Sequence, residues 1–289
     1  MRLSFPLAVR AIALVAIASF AACGGSAPPP AAPPLTTASP DPSAAPVGSA
    51  MHAGASSGAG ARGQSVALAG GASGYLALPS DAPSAAGAKR GAVLVIQEWW
   101  GMNDWIKQDT ERFAERGYVA LAVDLYRGKS AADADTAHQL MRGLPEDRAM
   151  ADMKAGFDLL LARPDVDPAK IGIVGWCMGG GYALAFATAE PRLRAAVMNY
   201  GKLVTAPEKI ASVHAALLGN FAGKDKGIPV DDVKAFDAQM KAAKKEVDIK
   251  IYDGGGHGFM NPNNKQSYDE AAANDAWARI DAFFARTIK

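Results

Sequence analysis

A cysteine stands at the centre of a Gly-x-Cys-x-Gly pattern, in the stretch Gly175-Trp176-Cys177-Met178-Gly179. The apolar run 170–174 before it is typical of a buried strand, and the small residues at 179–189 are typical of a helix packed closely on a sheet. A strand, a tight turn and a helix in this order form a nucleophile elbow, here with Cys in place of Ser. The position near a helix N-terminus favours thiolate and helps to hold an oxyanion. Cys177 is therefore a candidate nucleophile; the alternative is a buried structural cysteine.

Two further candidates follow later predicted strands, in the order nucleophile, acid, histidine that this architecture uses. Asp225 lies in a Gly-Lys-Asp-Lys-Gly loop after the strand at 215–221, and His257 lies in a glycine-rich loop after the strand at 247–252. Catalytic groups of parallel sheets collect beyond the carboxyl ends of the strands, so the three loops can converge. In that case Cys177 attacks an acyl carbon, His257 relays protons and Asp225 fixes the imidazole tautomer. Taken alone, Asp225 also fits a turn-forming residue, and no single one of the three signals decides the function.

Strands alternate with helices along most of the chain, which predicts an α/β fold with a mostly parallel central sheet and helices on both faces. The segment 65–78 is expected to form a leading hairpin at a sheet edge, and the stretch between 200 and 215 is predicted to be polar. The further predicted strands are 91–96, 118–125, 170–176, 194–200, 215–221 and 247–252, and the predicted helices are 103–115, 131–143, 146–162, 179–189, 230–244 and 268–285.

The first 64 residues differ in character from the rest. Residues 1–22 have basic residues followed by an apolar run too short to cross a bilayer comfortably, which is typical of a secretory signal. The run ends in Phe20-Ala21-Ala22-Cys23, which resembles a bacterial lipobox with Cys23 as the lipidated residue, although Phe20 stands where Leu is usual. Residues 23–64 are rich in Pro, Ala, Gly and Ser and indicate a disordered tether. We expect a folded domain at 65–289, exported to the cell envelope or periplasm and held at a membrane by a lipid anchor; a plain cleaved signal peptide is the alternative.

The overall composition narrows the class of partner. The chain has 289 residues, 49% hydrophobic and 20% charged, with a formal net charge of +1. That balance gives no reason to expect nucleic acid as a partner, and no His or Cys residues have the spacing of metal ligands. A small molecule is the expected partner, and the sequence leaves the oligomeric state open.

The motifs together resemble the dienelactone hydrolase family, the carboxymethylenebutenolidase-like branch of the α/β-hydrolase superfamily. The resemblance extends from about residue 70 to the C-terminus and implies an α/β-hydrolase fold, a Cys-His-Asp triad and cofactor-free hydrolysis of esters or lactones. The motifs that carry it are Gln97-Glu98-Trp99-Trp100-Gly101, Asp124-Leu125-Tyr126, Gly175-Trp176-Cys177-Met178-Gly179-Gly180, Asp225-Lys226-Gly227-Ile228-Pro229 and Gly256-His257-Gly258-Phe259.

Further roles follow from the positions of residues in these motifs. Glu98 resembles the family glutamate that pairs with the resting thiol and helps to generate thiolate when substrate arrives. A carboxylate between a buried strand and two tryptophans is also expected to be a stronger base than a free glutamate, unless it forms a salt bridge at the sheet edge. The backbone N–H groups of Trp99 and Met178 match the oxyanion-hole positions.

The substrate pocket departs from the family pattern. The family holds a substrate carboxylate with two arginines; here Arg127 is displaced by one position from the first, and Asn261 stands in place of the second. The loss of a bidentate clamp argues against assuming a dienelactone as substrate. An aromatic pocket for an apolar acyl group and a set of core residues are equally good interpretations of Trp100, Tyr126, Trp176 and Phe259.

Two functions remain after this reasoning. The leading hypothesis is a small-ester or lactone hydrolase that forms a thioester on Cys177. The alternative is a catalytically silent envelope lipoprotein that uses the same fold as a binding module.

Overall fold

The structure is a computed structural model that describes residues 63–80 and 88–289. The predicted leader at 1–22, the lipidation of Cys23 and nearly all of the tether at 23–64 lie outside the described residues. Within the described part, no helix is both long and apolar enough to cross a membrane.

Eight strands of the described chain form one sheet in the order β1-β2-β4-β3-β5-β6-β7-β8. β1 and β2 form an antiparallel hairpin at one edge, β2 is antiparallel to β4, and all later neighbours are parallel. The strands are β1 Gln64–Ala67, β2 Ser73–Ala77, β3 Arg90–Ile96, β4 Val119–Val123, β5 Val166–Trp176, β6 Ala195–Asn199, β7 Ala216–Ala222 and β8 Val247–Tyr252.

The helices cover both faces of this sheet. α1 and α7 contribute to one apolar core, and α3, α4 and α6 contribute to the other. The helices are α1 Asp104–Glu115, α2 Ala134–Arg142, α3 Glu146–Ala162, α4 Met178–Ala189, α5 Pro207–Ser212, α6 Val230–Ala242 and α7 Glu270–Thr287. The predicted mostly parallel sheet with helices on both faces is confirmed.

Burial on both faces explains the uninterrupted apolar sequence of β3. Val93 and Val95 pack towards α1 and α7, while Leu94 and Ile96 pack into the core on the opposite face. Successive side chains of a strand point to opposite faces, so a strand covered on both sides needs apolar residues at every position.

The predicted elements are present with shifted ends, and one helix was missed. Asn103 caps α1 as expected, because its Oδ1 accepts a hydrogen bond from the N–H of Ile106 at 3.1 Å. α5 lies in the stretch that was predicted only to be polar and to which no helix was assigned. It has six residues and buries only Ile210, so its sequence carries too few apolar positions to show a helical period.

The crossing of β5 and α4 depends on backbone atoms in close contact. A Cβ added to Gly175 would lie 2.0 Å from the carbonyl oxygen of Gly179, and one added to Gly179 would lie 2.4 Å from that of Gln97. Gly175 therefore lets β5 and α4 approach this closely because it has no side chain, and Gly179 does the same for α4 and the backbone at the end of β3.

Substitution of Gly175 by Ala is therefore expected to lower the free energy of unfolding by about 3 kcal/mol, the upper range for overpacking a rigid site. Urea denaturation of the protein and the variant measures the difference. Gly254→Ala is the matched control, because a Cβ there meets only Asp269 Oδ2 at an ordinary 3.4 Å. Equal losses of stability in the two variants would contradict the close-packing argument.

Candidate active site

Cys177 occupies the turn between β5 and α4 in a conformation that is unusual for a residue with a side chain. Its φ is 53° and its ψ is −117°, so the backbone lies outside the regions that L-residues favour. The N–H of Cys177 donates to the carbonyl oxygen of Asn199 at 3.0 Å, and Asn199 Nδ2 donates to the carbonyl oxygen of Gly175 at 3.1 Å. These two bonds tie the turn to the end of β6 and leave the half-buried thiol at the carboxyl edge of the sheet.

The buried side-chain amides of Asn199 and Asn220 form hydrogen bonds that support this turn. Asn220 Nδ2 donates to Asn199 Oδ1 at 2.9 Å, and the two residues face each other in the pairing of β6 with β7. Arg279 of α7 donates from Nε to Asn220 Oδ1 at 3.3 Å and from a second nitrogen to Asp248 at 3.0 Å. The nucleophile turn is thus connected through hydrogen bonds to the last helix.

The structure brings the three residues of the predicted triad together. His257 Nε2 lies 3.1 Å from Cys177 Sγ, and His257 Nδ1 lies 2.6 Å from Asp225 Oδ2. Each side chain comes from a loop after a different parallel strand, β5, β7 or β8. The arrangement is therefore the convergence expected at the carboxyl edge of a parallel sheet.

Backbone donors orient the Asp225 carboxylate. Its Oδ1 accepts hydrogen bonds from the N–H groups of Gly227 at 2.8 Å and Ile228 at 3.2 Å, while Oδ2 faces the imidazole. Burial of Asp225 works to raise its pKa, but the hydrogen bond and charge of His257 and the two backbone donors outweigh burial, so the pKa is lowered. Asp225 is ionised at neutral pH and can hold a positive charge on His257.

The imidazole of His257 is correspondingly basic. Burial would lower its pKa, but the hydrogen bonds to Asp225 and Cys177 and the charges of both partners raise it overall. A protonated imidazole in contact with Sγ stabilises a thiolate, the form of cysteine that acts as a nucleophile. The site can therefore hold a thiolate beside an imidazolium, ready for attack on an electrophilic carbon.

Glu98 is almost fully buried and interacts with the charge of His257. Asn261 Nδ2 donates to its Oε2 at 2.7 Å, and the hydroxyl of Tyr200 donates to its Oε1 at 3.3 Å. Burial raises the pKa of Glu98 to about 7, although Asn261, the charge of His257 and Tyr200 each favour the ionised form. The structure turns Glu98 towards these partners, whereas the resemblance had suggested a pairing with the resting thiol.

Cys177 and His257 line two cavities of the described chain. The first is about 590 Å³ and the second is about 920 Å³. The first is also lined by Met178, Tyr200, Lys202, Leu203, Thr205, Gly227, Ile228, Asp232, Ala235, Phe236 and Gln239. The second is also lined by Glu98, Trp99, Trp100, Asn103, Ala131, Ala132, Ala134, Met141, Gly258, Asn261, Asn263, Asn264, Lys265 and Gln266.

The predicted oxyanion-hole residues line different cavities. Trp99 follows Glu98 in the loop after β3 and lines the second cavity, whereas Met178 comes directly after Cys177, opens α4 and lines the first. An oxyanion hole formed by their backbone N–H groups stays a prediction.

Three of the four aromatic pocket candidates belong to the core, and only Trp100 lines a cavity. Trp176 packs against Trp105 and Trp277, with ring centroids 5.6 and 5.7 Å away. Phe259 is fully buried between Tyr200 and Tyr252. The third, the buried Tyr126, donates its hydroxyl hydrogen bond to the sulfur of Met178 at 3.3 Å.

The placement of Arg127 in the substrate pocket needs correction. Its guanidinium forms a bidentate ion pair with the buried carboxylate of Asp152 on α3, at 2.7 and 3.2 Å, and also donates to the carbonyl oxygen of Gly70. It lines neither cavity. An ion pair on the other side of its loop holds the side chain away from the sulfur.

Sequence reasoning missed Tyr200 and did not predict that Asn261 binds Glu98. Tyr200 ends the predicted strand 194–200, at the edge where the other site residues collect, and this position was the available signal. Asn261 stood out only as a replacement for an arginine. No group of three or more His, Cys, Asp or Glu side chains in the described ranges could hold a metal ion.

Comparison with known proteins agrees with this architecture. The model of the dienelactone hydrolase family matches residues 73–288, which is most of the chain. The chain belongs to the dienelactone hydrolase family. It is a hydrolase-family protein with the α/β-hydrolase fold.

Individual members of the family are similar over most of their length. Protein usf of Aquifex pyrophilus is 36% identical over 201 residues, which cover 66% of this chain and 86% of that protein. A protein of Methylorubrum extorquens named "Putative carboxymethylenebutenolidase" is 30% identical over 224 residues, covering 73% and 75%. The crystal structure of the "Putative Dienelactone Hydrolase" of Klebsiella pneumoniae superposes with a TM-score of 0.67 at 30% identity, covering 74% of this chain and 92% of that chain.

The raised pKa of Glu98 has a consequence for stability. A carboxyl group whose pKa rises on folding binds its proton more tightly in the folded state, so it costs stability once the pH exceeds the unfolded value of 4.5. We expect this cost to grow to about 3 kcal/mol by pH 8 and to be absent in Glu98→Gln, which keeps an acceptor for Asn261.

Urea unfolding of both proteins between pH 4 and pH 8 measures this difference, and Glu208→Gln on the exposed face of α5 is the control. A stability difference between wild type and Glu98→Gln that stays constant across this range would rule out the titration assigned to Glu98.

Proposed function

We propose that the protein hydrolyses small esters or lactones through a thioester on Cys177. The observation that carries this proposal is the continuous contact from Cys177 Sγ through His257 to Asp225, at 3.1 and 2.6 Å, together with two cavities that Cys177 and His257 both line. A nucleophile, a proton carrier and an orienting carboxylate in this order are the parts that acyl transfer needs.

In the first half of the reaction the thiolate of Cys177 attacks the carbonyl carbon and forms a C–S bond. The backbone N–H groups of Trp99 and Met178 stabilise the negative charge that develops on the carbonyl oxygen. His257 then transfers its Nε2 proton to the alcohol oxygen as the C–O bond breaks. The products are a thioester, a neutral imidazole and an alcohol, which in a lactone remains part of the same molecule.

In the second half, water enters and His257 takes one of its protons. The hydroxide attacks the thioester carbon, the C–S bond breaks and the sulfur leaves as thiolate beside the restored imidazolium. The carboxylic acid product departs, and the site returns to its starting state without any cofactor.

Two carboxylates set the charge of His257 in this cycle. Asp225 keeps the Nδ1 proton in place and stabilises the cation. The charge of His257 favours the ionised form of Glu98, so by reciprocity ionised Glu98 favours the imidazolium and with it the thiolate. We assign Glu98 this supporting part in thiolate formation.

The substrate need not carry a carboxylate of the kind that two arginines would hold. Asn261 is neutral and bonded to Glu98, and Arg127 is bound to Asp152. Neither position supplies a guanidinium to the cavities, which favours esters and lactones other than a dienelactone.

The proposed location of the protein rests on the sequence alone. The signal-like segment 1–22, the lipobox-like Cys23 and the tether 23–64 support export to the cell envelope and lipid anchoring to a bacterial membrane. Metabolic labelling of the expressed protein with a radioactive fatty acid, compared with Cys23→Ala, tests the anchor directly.

Replacement of Cys177 by Ala is expected to abolish turnover of p-nitrophenyl butanoate, because no thioester can form. Mass spectrometry of the wild-type protein, quenched early in the reaction, is expected to show an added butanoyl group on the peptide that contains Cys177. If wild type and Cys177→Ala turn over a panel of small esters and lactones equally, the hydrolase proposal fails and a binding module becomes the better description.

Substitution of Asp225 by Asn is expected to lower kcat by about 10²- to 10⁴-fold, because the imidazole loses both its tautomer control and its counter-charge. Steady-state kinetics with p-nitrophenyl butanoate measures the loss. Asp231→Asn, at an exposed position in the first turn of α6, is the matched control and is expected to retain wild-type kcat. An unchanged kcat in Asp225→Asn would contradict the role assigned to Asp225.

A further inference from the structure

The two cavities that meet at Cys177 and His257 differ in their less exposed walls, which are mostly apolar in the first cavity and include the polar side chains of Glu98 and Asn261 in the second. From this difference we propose that the substrate is the ester of an apolar acyl group with a neutral, hydroxyl-rich alcohol such as a sugar. The acyl group lies in the first cavity, and the alcohol lies in the second. This inference rests on the proposed ester hydrolysis and specifies its substrate class.

The less exposed walls of the first cavity are mostly apolar. Met178, Leu203, Ile228 and Phe236 are buried or half-buried there, whereas the polar side chains of Lys202, Thr205, Asp232 and Gln239 line it at exposed positions. Apolar surface of this kind favours burial of a hydrocarbon chain or ring and offers an acyl group few hydrogen bonds.

The second cavity offers hydrogen-bonding groups that the protein itself does not use. The exposed side chains of Asn263, Lys265 and Gln266 line it, and none of them forms a hydrogen bond or an ion pair within residues 63–80 and 88–289. Two amides and an ammonium present several donors and two acceptors, a mixture that matches hydroxyl groups, which both donate and accept.

Two other amide side chains of the same cavity already form hydrogen bonds within the protein. These bonds hold the loop in place. Asn261 binds Glu98 and accepts from the N–H of Asn263, and Asn264 Nδ2 donates to the carbonyl oxygen of His257 at 3.0 Å. The segment that carries the unused side chains is therefore anchored to Glu98 and to the backbone of His257.

The charge of the second cavity is balanced. Lys265 contributes one positive charge and Glu98 contributes one negative charge when it is ionised, while the His257 imidazolium faces the Cys177 thiolate. A cavity without excess charge gives no net attraction to an anionic group. A neutral group that forms hydrogen bonds is the better fit.

Two half-buried indole rings complete the second cavity. The centroids of Trp99 and Trp100 are 4.9 Å apart at an interplanar angle of 62°, and His138 packs edge-on against Trp99 at 4.9 Å. The C–H face of a sugar ring can pack on such an aromatic surface while its hydroxyls reach the polar loop. At about 920 Å³ the cavity has ample volume for one or two sugar rings.

The reaction would then break the bond between the acyl carbon and a sugar oxygen. Cys177 Sγ keeps the acyl group as a thioester, and His257 delivers its proton to the departing sugar oxygen. Water replaces the sugar in the second cavity and releases the carboxylic acid.

A pair of butanoate esters tests the inference with the full chain. 6-O-Butanoylglucose and cyclohexylmethyl butanoate share the acyl group and a six-membered ring, but only the first carries ring hydroxyls. We expect kcat/KM at least about tenfold higher for the sugar ester, the gain from one or two additional hydrogen bonds.

Variants of the polar loop show whether that preference arises in the second cavity. Lys265→Met and Gln266→Leu are each expected to reduce the ratio of the two kcat/KM values by several-fold, mainly through KM for the sugar ester. Lys234→Met, at an exposed position of α6 outside both cavities, is the control and should leave the ratio unchanged.

The possible results separate this inference from the proposed function. If p-nitrophenyl butanoate is hydrolysed in a Cys177-dependent manner but the two ring esters react equally, the sugar inference is overturned and ester hydrolysis stands. A higher kcat/KM for a carboxylate-bearing ring ester than for the sugar ester would also overturn it, in favour of an anionic group. No turnover of any ester would overturn both proposals.

Discussion

The close approach of β5 and α4 is the constraint on which the rest of the site depends. Gly175 lets these two backbones touch, Gly179 lets α4 approach the end of β3, and the turn between β5 and α4 places Cys177 at a φ of 53°. Unfavourable backbone geometry persists only where its surroundings hold it, and here Asn199 does so through two hydrogen bonds. The position of the sulfur is thus determined by main-chain atoms and buried amides, which leave it little freedom to move.

The position of the Cys177 sulfur also determines which charged groups surround it. The sulfur is presented to an imidazole whose other nitrogen faces an almost fully buried carboxylate, and a second buried carboxyl group, Glu98, lies behind them. Charges are costly in such surroundings unless they are paired and hydrogen-bonded. Each carboxyl group has at least two donors directed at it, so the site can keep ionised groups close together without water around every atom.

Much of the fold could be predicted because its signals are local. Continuous apolar runs marked β3 and β4, the Asn103 cap marked the start of α1, and glycines on either side of Cys177 marked the turn. The convergence of Cys177, Asp225 and His257 followed from one rule, that parallel strands end at the same edge. By contrast, α5 buries a single residue and left no periodic pattern to detect.

The direction of long side chains could not be predicted in the same way. Arg127 lies in the loop after β4, one position from the expected place of a pocket arginine. Its guanidinium nevertheless binds Asp152, a residue on α3, and lines neither cavity. Trp176 precedes Cys177 at the end of β5 and points into the core, because successive side chains of a strand point to opposite faces. Phe259 lies in a turn two residues after His257 and is buried between Tyr200 and Tyr252. The partners of Glu98 likewise depend on where Tyr200 and Asn261 meet in space, which no local pattern encodes.

The hydrogen bond from Arg279 to Asn220 affects the stage of protein synthesis at which the site is completed. Ribosomes build the chain from the N-terminus, so β5 and the turn at Cys177 emerge well before α7. The amide chain beneath that turn is complete only when α7 has docked and Arg279 has reached Asn220. His257 also emerges late, only a short distance ahead of α7. A nascent chain therefore carries its cysteine through 80 residues of synthesis before the imidazole emerges, and through 22 more (257 to 279) before Arg279 arrives. The assembled site is a property of the finished molecule alone.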